Sequence, residues 1–209
     1  MSGTAITERE REAKRYLQEQ LGDRAPAELR YEGEFDESPL DGEGRTALFS
    51  FQLDTVAAAR DCGDNDAPGR HYVAVGHTEP NYFPGYELAP DDAYSFHVGT
   101  RFMLEMELHR VDASLEPPGA RDDLRRFVDR YAPGARVDRV ELSALFRCEE
   151  GYFAVYRLVL DGQEVYCLGA DCPPGFYRMT QHPPQAALRL HLGKQIRAEA
   201  RRARATGET

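Results

Sequence analysis

Hydrophobic residues recur at helical spacing in two segments of the chain, residues 7–22 and residues 120–131. The apolar faces comprise Ala13, Tyr16, Leu17 and Leu21 in the first segment, and Leu124, Phe127, Val128 and Tyr131 in the second. Thr7 and Glu10 have the spacing of a capping box, which predicts that the first helix begins at Thr7. Both segments are therefore predicted to be amphipathic helices.

Alternation of apolar and polar residues predicts three strands after each of these helices. The six strands are 29–35, 46–53 and 71–76 in the first half, and 137–146, 152–160 and 164–169 in the second. Asp161 and Gly162 separate two alternating runs, and an Asp-Gly pair in that position indicates a tight hairpin. Each half is therefore predicted to contain a three-stranded antiparallel sheet.

A further element follows the strands in each half, and it begins at Pro90 and at Pro184, a residue favoured in the first turn of a helix. Residues 100–109 alternate like a strand but are mostly good helix formers. Residues 195–204 are rich in Ala and Arg, which fits a helix. Because the two segments occupy corresponding places, we predict a helix for both.

These parallels extend to a repeated sequence motif. Residues 90–99 and 184–193 share the pattern Pro-x-x-Ala-x-x-apolar-His-apolar-Gly, and residues 71–76 resemble residues 164–169. The predicted fold is α+β, an internal duplication of a helix–three-stranded antiparallel sheet–helix unit related by a pseudo-twofold axis. The repeats are expected at 5–112 and 117–205, and they could form one compact domain.

Charge and cysteine usage restrict the partners and the compartment. A net charge of −10 disfavours nucleic acid and anionic membranes, and no apolar run is long enough for a membrane span or a signal peptide. The four cysteines form no regular disulfide framework, which favours a reduced, cytoplasmic protein.

The C-terminal residues 184–209 reverse the overall charge, with six basic and two acidic residues. A basic helix on an acidic protein is expected to dock on the same chain or on a second subunit. We rank self-association above binding of nucleic acid, because aromatic residues are absent after Lys194.

The repeated histidines, His97 and His191, are the first candidate site. If the halves pack symmetrically, the two imidazoles could meet at the pseudo-axis and bind a metal or an anion. A zinc site needs three or four ligands, and neither histidine has a nearby His or Cys partner in the sequence. We therefore favour a structural role and predict no metal.

Aromatic residues that follow the third strand in each half are the second candidate. They are Tyr82, Phe83 and Tyr86 in the first half and Phe176 and Tyr177 in the second. Stiffened by Pro and Gly, such loops could present a recognition surface. The repetition favours loops that instead cover the sheet edge and bury their rings.

Acidic clusters and nucleophile motifs give no catalytic candidate. Residues 61–66 resemble a calcium loop but fail the EF-hand spacing. Glu32 and Glu34 are predicted to share one solvated face of a strand. Neither a nucleophile elbow nor a phosphate loop nor a dinucleotide fingerprint occurs, so we assign no catalytic residue and no cofactor.

The sequence thus favours a non-catalytic intracellular protein-binding module, such as an adaptor or a neutralising protein. Its partner is expected to be another protein or a second copy of the chain. Two alternatives stay open. One is an enzyme or small-ligand-binding protein that uses the groove between the repeats, and the other is a structural homo-oligomer. A deep pocket would favour the former, and a flat apolar patch would favour protein binding.

Overall fold

The computed structural model of the chain describes residues 3–36, 45–53, 69–76, 79–149, 151–170, 175–178 and 183–207. These residues form an α+β fold. The helices are α1 (Gly3–Leu21), α2 (Pro90–Glu105), α3 (Ala120–Tyr131) and α4 (Pro184–Thr206). The strands are β1 (Arg30–Asp36), β2 (Arg45–Leu53), β3 (Gly69–Val75), β4 (Asn81–Pro84), β5 (His109–Val111), β6 (Val137–Cys148), β7 (Gly151–Leu160), β8 (Gln163–Ala170) and β9 (Gly175–Arg178).

Two antiparallel sheets follow the order of the chain, β1-β2-β3-β4 and β5-β6-β7-β8-β9. The prediction of three strands in each sheet is wrong. The aromatic segments expected to be loops form additional strands, β4 and β9, because aromatic residues suit a half-buried pleated surface. The predicted hairpin at Asp161 and Gly162 is confirmed: both residues have positive φ, and Leu160 pairs with Gln163.

The segment 100–109 is part helix and part strand, which explains its mixed sequence signals. α2 ends at Glu105, and the amide of Leu108 donates to the carbonyl of Met103 at 2.9 Å. Glu107 has a φ of 51°, so the helix ends in a Schellman arrangement with a non-glycine residue in the left-handed region. The short strand β5 follows at once.

The chain divides into two compact units, Met1–Val98 with Gly193–Thr209, and Gly99–Leu192. The two divisions fall within α2 and α4, each directly before the glycine of the repeated motif. The two compact units differ from the contiguous repeats 5–112 and 117–205, whose boundaries stay a prediction.

In the first unit, α1 covers one face of the sheet. Its buried residues Ala13, Leu17 and Leu21 pack against alternate residues of β2 and β3. The helix begins at Gly3, so the predicted start at Thr7 is wrong. The opposite face contacts α2 through rings: Phe35 stacks on Tyr94 at 4.6 Å and Phe83 stacks on Phe96 at 5.2 Å.

In the second unit, both faces of the sheet carry buried clusters. On one face, Leu124 and Val128 of α3 pack with Leu145, Tyr156 and other residues of the sheet. The cluster on the other face includes Met103, Phe146, Val155, Leu168, Leu188 and Leu192. None of the described helices is long and apolar enough to cross a membrane.

Candidate functional site

The aromatic candidates of the first half contribute mainly to packing. Phe83 is 2% exposed and its ring lies 6.0 Å from Tyr72. Tyr82 is half-buried, with its ring 6.4 Å from Tyr16 on α1. Tyr86 lies in the turn after β4 and contacts the ring of Phe96 at 5.7 Å. Phe83 and Tyr86 both contact Phe96 of α2, whereas Tyr82 contacts Tyr16 of α1.

The aromatic candidates of the second half lie on the edge strand β9. Phe176 pairs with Cys167, and Tyr177 pairs with Tyr166, in the ladder between β8 and β9. The backbone of these two residues is described, whereas their side chains lie outside the described part of the structure. Their role in binding stays a prediction.

The two motif histidines are both buried within helices. His97, on α2 in the first unit, is 3% exposed and lies between the rings of Phe83 and Tyr94 at 6.3 and 6.0 Å. His191, on α4 in the second unit, is 1% exposed. Within the described ranges, no group of three His, Cys, Asp or Glu side chains could hold a metal ion. The structural role favoured for both histidines stays a prediction.

Glu32 and Glu34 do not share a solvated face. The register of β1 shifts between Tyr31 and Gly33, so Glu32 is the extra residue of a β-bulge. Glu34 forms an ion pair with Arg9 of α1, whereas Glu32 accepts hydrogen bonds from groups on the opposite face. The bulge therefore separates the two carboxylates, and their side chains are only 6% and 9% exposed.

The buried carboxylate of Glu32 fixes an arginine at the edge of a cleft. Its Oε1 accepts hydrogen bonds from Ser50 Oγ at 2.5 Å and from Arg70 Nη2 at 2.8 Å, and it lies 3.5 Å from Nε of Arg30. The Arg70 guanidinium also lies over the ring of Tyr72, 5.4 Å from its centroid. These contacts hold one side of Arg70 and leave its side chain 33% exposed.

That cleft has a volume of about 840 Å³ and belongs to the first unit. It is lined by residues 23–30, the end of β2 and Arg70. Three arginines and two acids contribute charge, against a net charge of −10 for the chain. The apolar lining includes Leu29, Phe51 and Leu53. The cleft thus combines cationic and apolar walls.

The basic C-terminal segment docks on the acidic first turn of α2. Docking on the same chain is one of the two modes that the sequence led us to expect. Arg197 donates to the carbonyl and the carboxylate of Asp91, each at 2.7 Å, and to Ser95 Oγ at 2.6 Å. Lys194 pairs with Asp92 at 2.8 Å. The hydrogen bond from Arg197 is the main reason that the pKa of Asp91 is lowered, and the charges of Arg197, Arg201 and Lys194 add to it.

A second concave surface lies between α3 and the first half of β6. This groove has a volume of about 490 Å³. Its lining comprises Arg121, Leu124, Arg125, Val128 and Asp129 of α3, and Val137, Asp138, Arg139 and Val140 of β6. Leu124 and Val128 are 4% and 3% exposed, and Val137 is 41% exposed. The groove therefore has an apolar floor between charged rims.

The start of α3 is fixed to the sheet by a polar cluster at the end of this groove. Glu116 accepts hydrogen bonds from the Tyr156 hydroxyl at 2.8 Å and from Arg121 Nε at 3.0 Å. Burial is the main cause that raises the pKa of Tyr156, and the hydrogen bond to Glu116 raises it further. Tyr156 therefore stays a neutral donor, which holds the groove wall in place.

The outer edge of β6 runs beside the groove. Among the described residues, β5 is the strand that pairs with this side of β6, and its three residues reach Leu145, Phe146 and Arg147. After β5, Asp112 accepts the amide of Ser114 and caps a short 3-10 helix, Ala113–Leu115, which contacts β6. The side chain of Arg110 also donates to the carbonyl of Ser143 at 3.4 Å. Residues 137–144 of β6 thus have no described strand on that side.

The sequence pattern does not indicate this edge. The alternation from Val137 to Phe146 predicts the strand, but the length of its neighbour β5 depends on where the chain turns at Asp112.

The protein has no significant match among protein-family models, curated proteins or solved structures.

Proposed function

We propose that the protein is a non-catalytic protein-binding module that docks an extended segment along the outer edge of β6. The observation that carries the proposal is the stretch 137–144, which has no described strand on its outer side and runs beside the groove of α3. An added strand obtains affinity from main-chain hydrogen bonds and specificity from pockets for alternate side chains.

The two walls of the groove support this mode of binding. Alternate side chains of a strand on this edge would enter the space lined by Leu124, Val128 and Val137. They would cover Val137, which is one of the exposed large hydrophobic residues. The charged rim, with Arg121, Arg125 and Asp129, would contact polar groups of the same segment.

Peptide selection tests the proposal. Random peptides displayed on phage are selected against the full chain, and the winning peptides are synthesised. We expect them to slow hydrogen exchange of the amides in residues 137–143. The variant Val137→Lys, which introduces a charge into the groove, should bind them at least tenfold more weakly.

A matched control is Leu104→Lys on α2, because Leu104 is also an exposed hydrophobic residue, 70% accessible. This variant should bind the peptides as the wild type does. Protection that maps to another part of the chain, or equal binding by both variants, would refute the β6 edge as the docking site.

The cleft around Arg70 favours a second candidate function, which is binding of a small amphipathic anion. Its support is the fixed guanidinium beside the apolar residues Leu29, Phe51 and Leu53. Benzoate is a suitable probe, with benzyl alcohol as its neutral counterpart. In NMR titrations, benzoate should shift the side-chain signals of Arg30 and Arg70, and Arg30→Gln should weaken that response. Equal shifts with both probes would exclude an anion site.

We also infer that the two sequence repeats arose by internal duplication. The order helix, four strands, helix occurs in both, and the motif Pro-x-x-Ala-x-x-apolar-His-apolar-Gly opens the last helix of each. A cytoplasmic location would suit the buried cysteines Cys148 and Cys167 if they are reduced. Labelling of unfolded protein taken directly from cells would show whether these thiols are reduced.

A further inference from the structure

We propose that the segment that occupies the β6 edge is the β6 edge of a second copy of this chain, antiparallel and centred on Val140. This inference rests on the proposed function, because it names the partner for the same docking edge. The observation behind it is the order of charges along the strand, Asp138, Arg139, Val140 and Glu141.

Symmetry limits how two copies of one edge can pair. In an antiparallel pair, every second residue of a strand directs its backbone N–H and C=O groups toward the partner strand. Such a residue must lie opposite a residue that does the same, so in a twofold dimer the two sequence numbers differ by an even number. The axis must therefore pass through a residue position. The register of β6 shifts at Asp138 and at Ser143, so this argument applies to the four positions between these β-bulges, 139 to 142, which also lie outside the stretch paired with β5.

Electrostatics distinguishes these four registers. An axis at Arg139 or Glu141 places a charged residue opposite the same residue of the other copy, which is repulsive. An axis at position 142 would place Arg139 opposite Leu145, whose outer side already pairs with Val111 of β5.

An axis at Val140 places Arg139 of each copy opposite Glu141 of the other. This register has two opposite-charge pairs and a central apolar pair. Cross-strand neighbours of opposite charge stabilise antiparallel pairing.

The two faces of the paired strands would also find suitable neighbours. Val140 and Leu142 belong to the face that packs with α3, so the same residues of a second copy would enter the groove above Leu124 and Val128. On the other face, Glu141 is already opposite Arg157 in the ladder between β6 and β7. The new Arg139–Glu141 pairs would extend this charged row.

Charges usually protect an exposed edge strand from association. Here Arg139 and Glu141 form an ion pair within their own strand, and their side chains are 57% and 43% exposed. Their charges are opposite and one residue lies between them. When two such strands pair antiparallel about Val140, Arg139 of each copy therefore lies opposite Glu141 of the other. These two charges disfavour registers that place like charges opposite each other, and they allow the register centred on Val140.

Charge exchange tests the register. Sedimentation velocity of the full chain should show a dimer for the wild type. Arg139→Glu and Glu141→Arg each replace two attractive pairs by two repulsive ones, and each should weaken dimerisation roughly tenfold or more. An equimolar mixture of the two variants should form a heterodimer, and the double variant R139E/E141R should dimerise again.

The matched control is Arg126→Glu, which reverses an exposed charge of α3 that lies outside the groove lining and pairs with Asp123. It should dimerise as the wild type does. The far-ultraviolet spectrum and the melting curve of each variant monitor folding. Both edge variants should melt as folded chains, because the exposed ion pair within the strand contributes little to stability.

Each outcome has a defined meaning. A monomeric wild type at high concentration refutes the second copy as partner, and so do single variants that dimerise normally. Single variants that dissociate without rescue in the mixture refute the register at Val140. The peptide selection described above is independent of these results. Selected peptides that protect residues 137–143 of a monomeric wild type would leave the protein-binding function standing and refute the dimer alone.

Discussion

At the residue scale, Arg197 joins α4 to the first unit through both polar and ring contacts. Its side chain is 11% exposed, it donates to Asp91 and Ser95, and its guanidinium lies 4.7 Å from the ring centroid of Tyr94 and 5.7 Å from that of Phe35. A planar guanidinium can donate in its plane and contact rings above it, and an ammonium group cannot do both. Arg197 therefore fixes the C-terminal half of α4.

We expect Arg197→Lys to lower the free energy of unfolding by about 1–3 kcal/mol, because charge-assisted hydrogen bonds and ring contacts are lost while the charge stays. Urea unfolding followed by circular dichroism measures this loss. Arg202→Lys, at an exposed position of the same helix, is the control. Equal midpoints for the two variants would contradict the role given to the guanidinium.

Gly85 is a second residue whose surroundings leave no space for a larger side chain. Its amide donates to the carbonyl of Arg70 at 2.7 Å, and a Cβ atom at this position would lie 2.4 Å from the same oxygen. Since that oxygen belongs to the backbone, Gly85→Ala must displace β3 or the turn after β4. We expect a loss of about 1–3 kcal/mol in the free energy of unfolding.

The control for this substitution is Gly169→Ala on β8, where a Cβ atom would meet nothing within 4 Å. Thermal melts of the two variants provide the comparison. A Gly85→Ala protein that melts with Gly169→Ala and the wild type would show that the turn is looser than these distances indicate.

At the scale of elements, the first turn of α2 explains the docking of α4. Asp91 and Asp92 lie at the positive end of the helix dipole and pair with Arg197 and Lys194 of α4. The sequence identified a basic segment that would seek acidic partners. The structure shows that these acidic partners lie in the same chain. The acidic residues of α2 and the basic residues of α4 both belong to the first unit.

This cluster makes stability depend on pH. The pKa of Asp91 is lower in the folded chain, chiefly through the hydrogen bond from Arg197. A lowered pKa stabilises the fold above the pKa of the unfolded chain, about 3.9, and this contribution is lost as the pH falls through the lower folded value. Between pH 5 and pH 2, the wild type should therefore lose more stability than Asp91→Asn.

Urea midpoints at pH 5, 4, 3 and 2 test this expectation. Asp122→Asn is the matched control, because it removes an acid from the first turn of α3 whose partner, Arg125, is exposed. Parallel pH profiles for the wild type and Asp91→Asn would contradict the contribution of Asp91.

At the scale of the whole molecule, compact units and sequence repeats do not coincide. Residues 193–209 belong to the first unit although they end the second repeat. A fragment that follows the sequence repeat therefore lacks Arg197. Without it, the guanidinium contacts of Phe35, Tyr94 and Asp91 are lost.

We expect the fragment 1–112 to unfold at a lower urea concentration than the same residues in the full chain. A synthetic peptide of residues 183–209, added in trans, should raise that midpoint, and the same peptide with Arg197→Ala should raise it less. The difference between the two peptides is the decisive measurement. If they act equally, the C-terminal segment does not complete the first unit in the way proposed.

The sequence by itself determined the elements whose information is local. The boundaries of α3 and the hairpin at Asp161 follow from periodicity and turn residues, and they are confirmed. Local spacing decides such features because each depends on contacts within a few residues or on one apolar face.

Only the tertiary structure decided features that depend on what lies opposite a residue. The bulge at Glu32 separates two carboxylates that simple alternation places together. The short β5 determines how much of the β6 edge has no described strand beside it, and the hydrogen-bond partners of Arg197 lie about a hundred positions away in the chain. Pairing across a sheet and ion pairs between distant segments arise from the folded backbone, and no spacing along the chain encodes them.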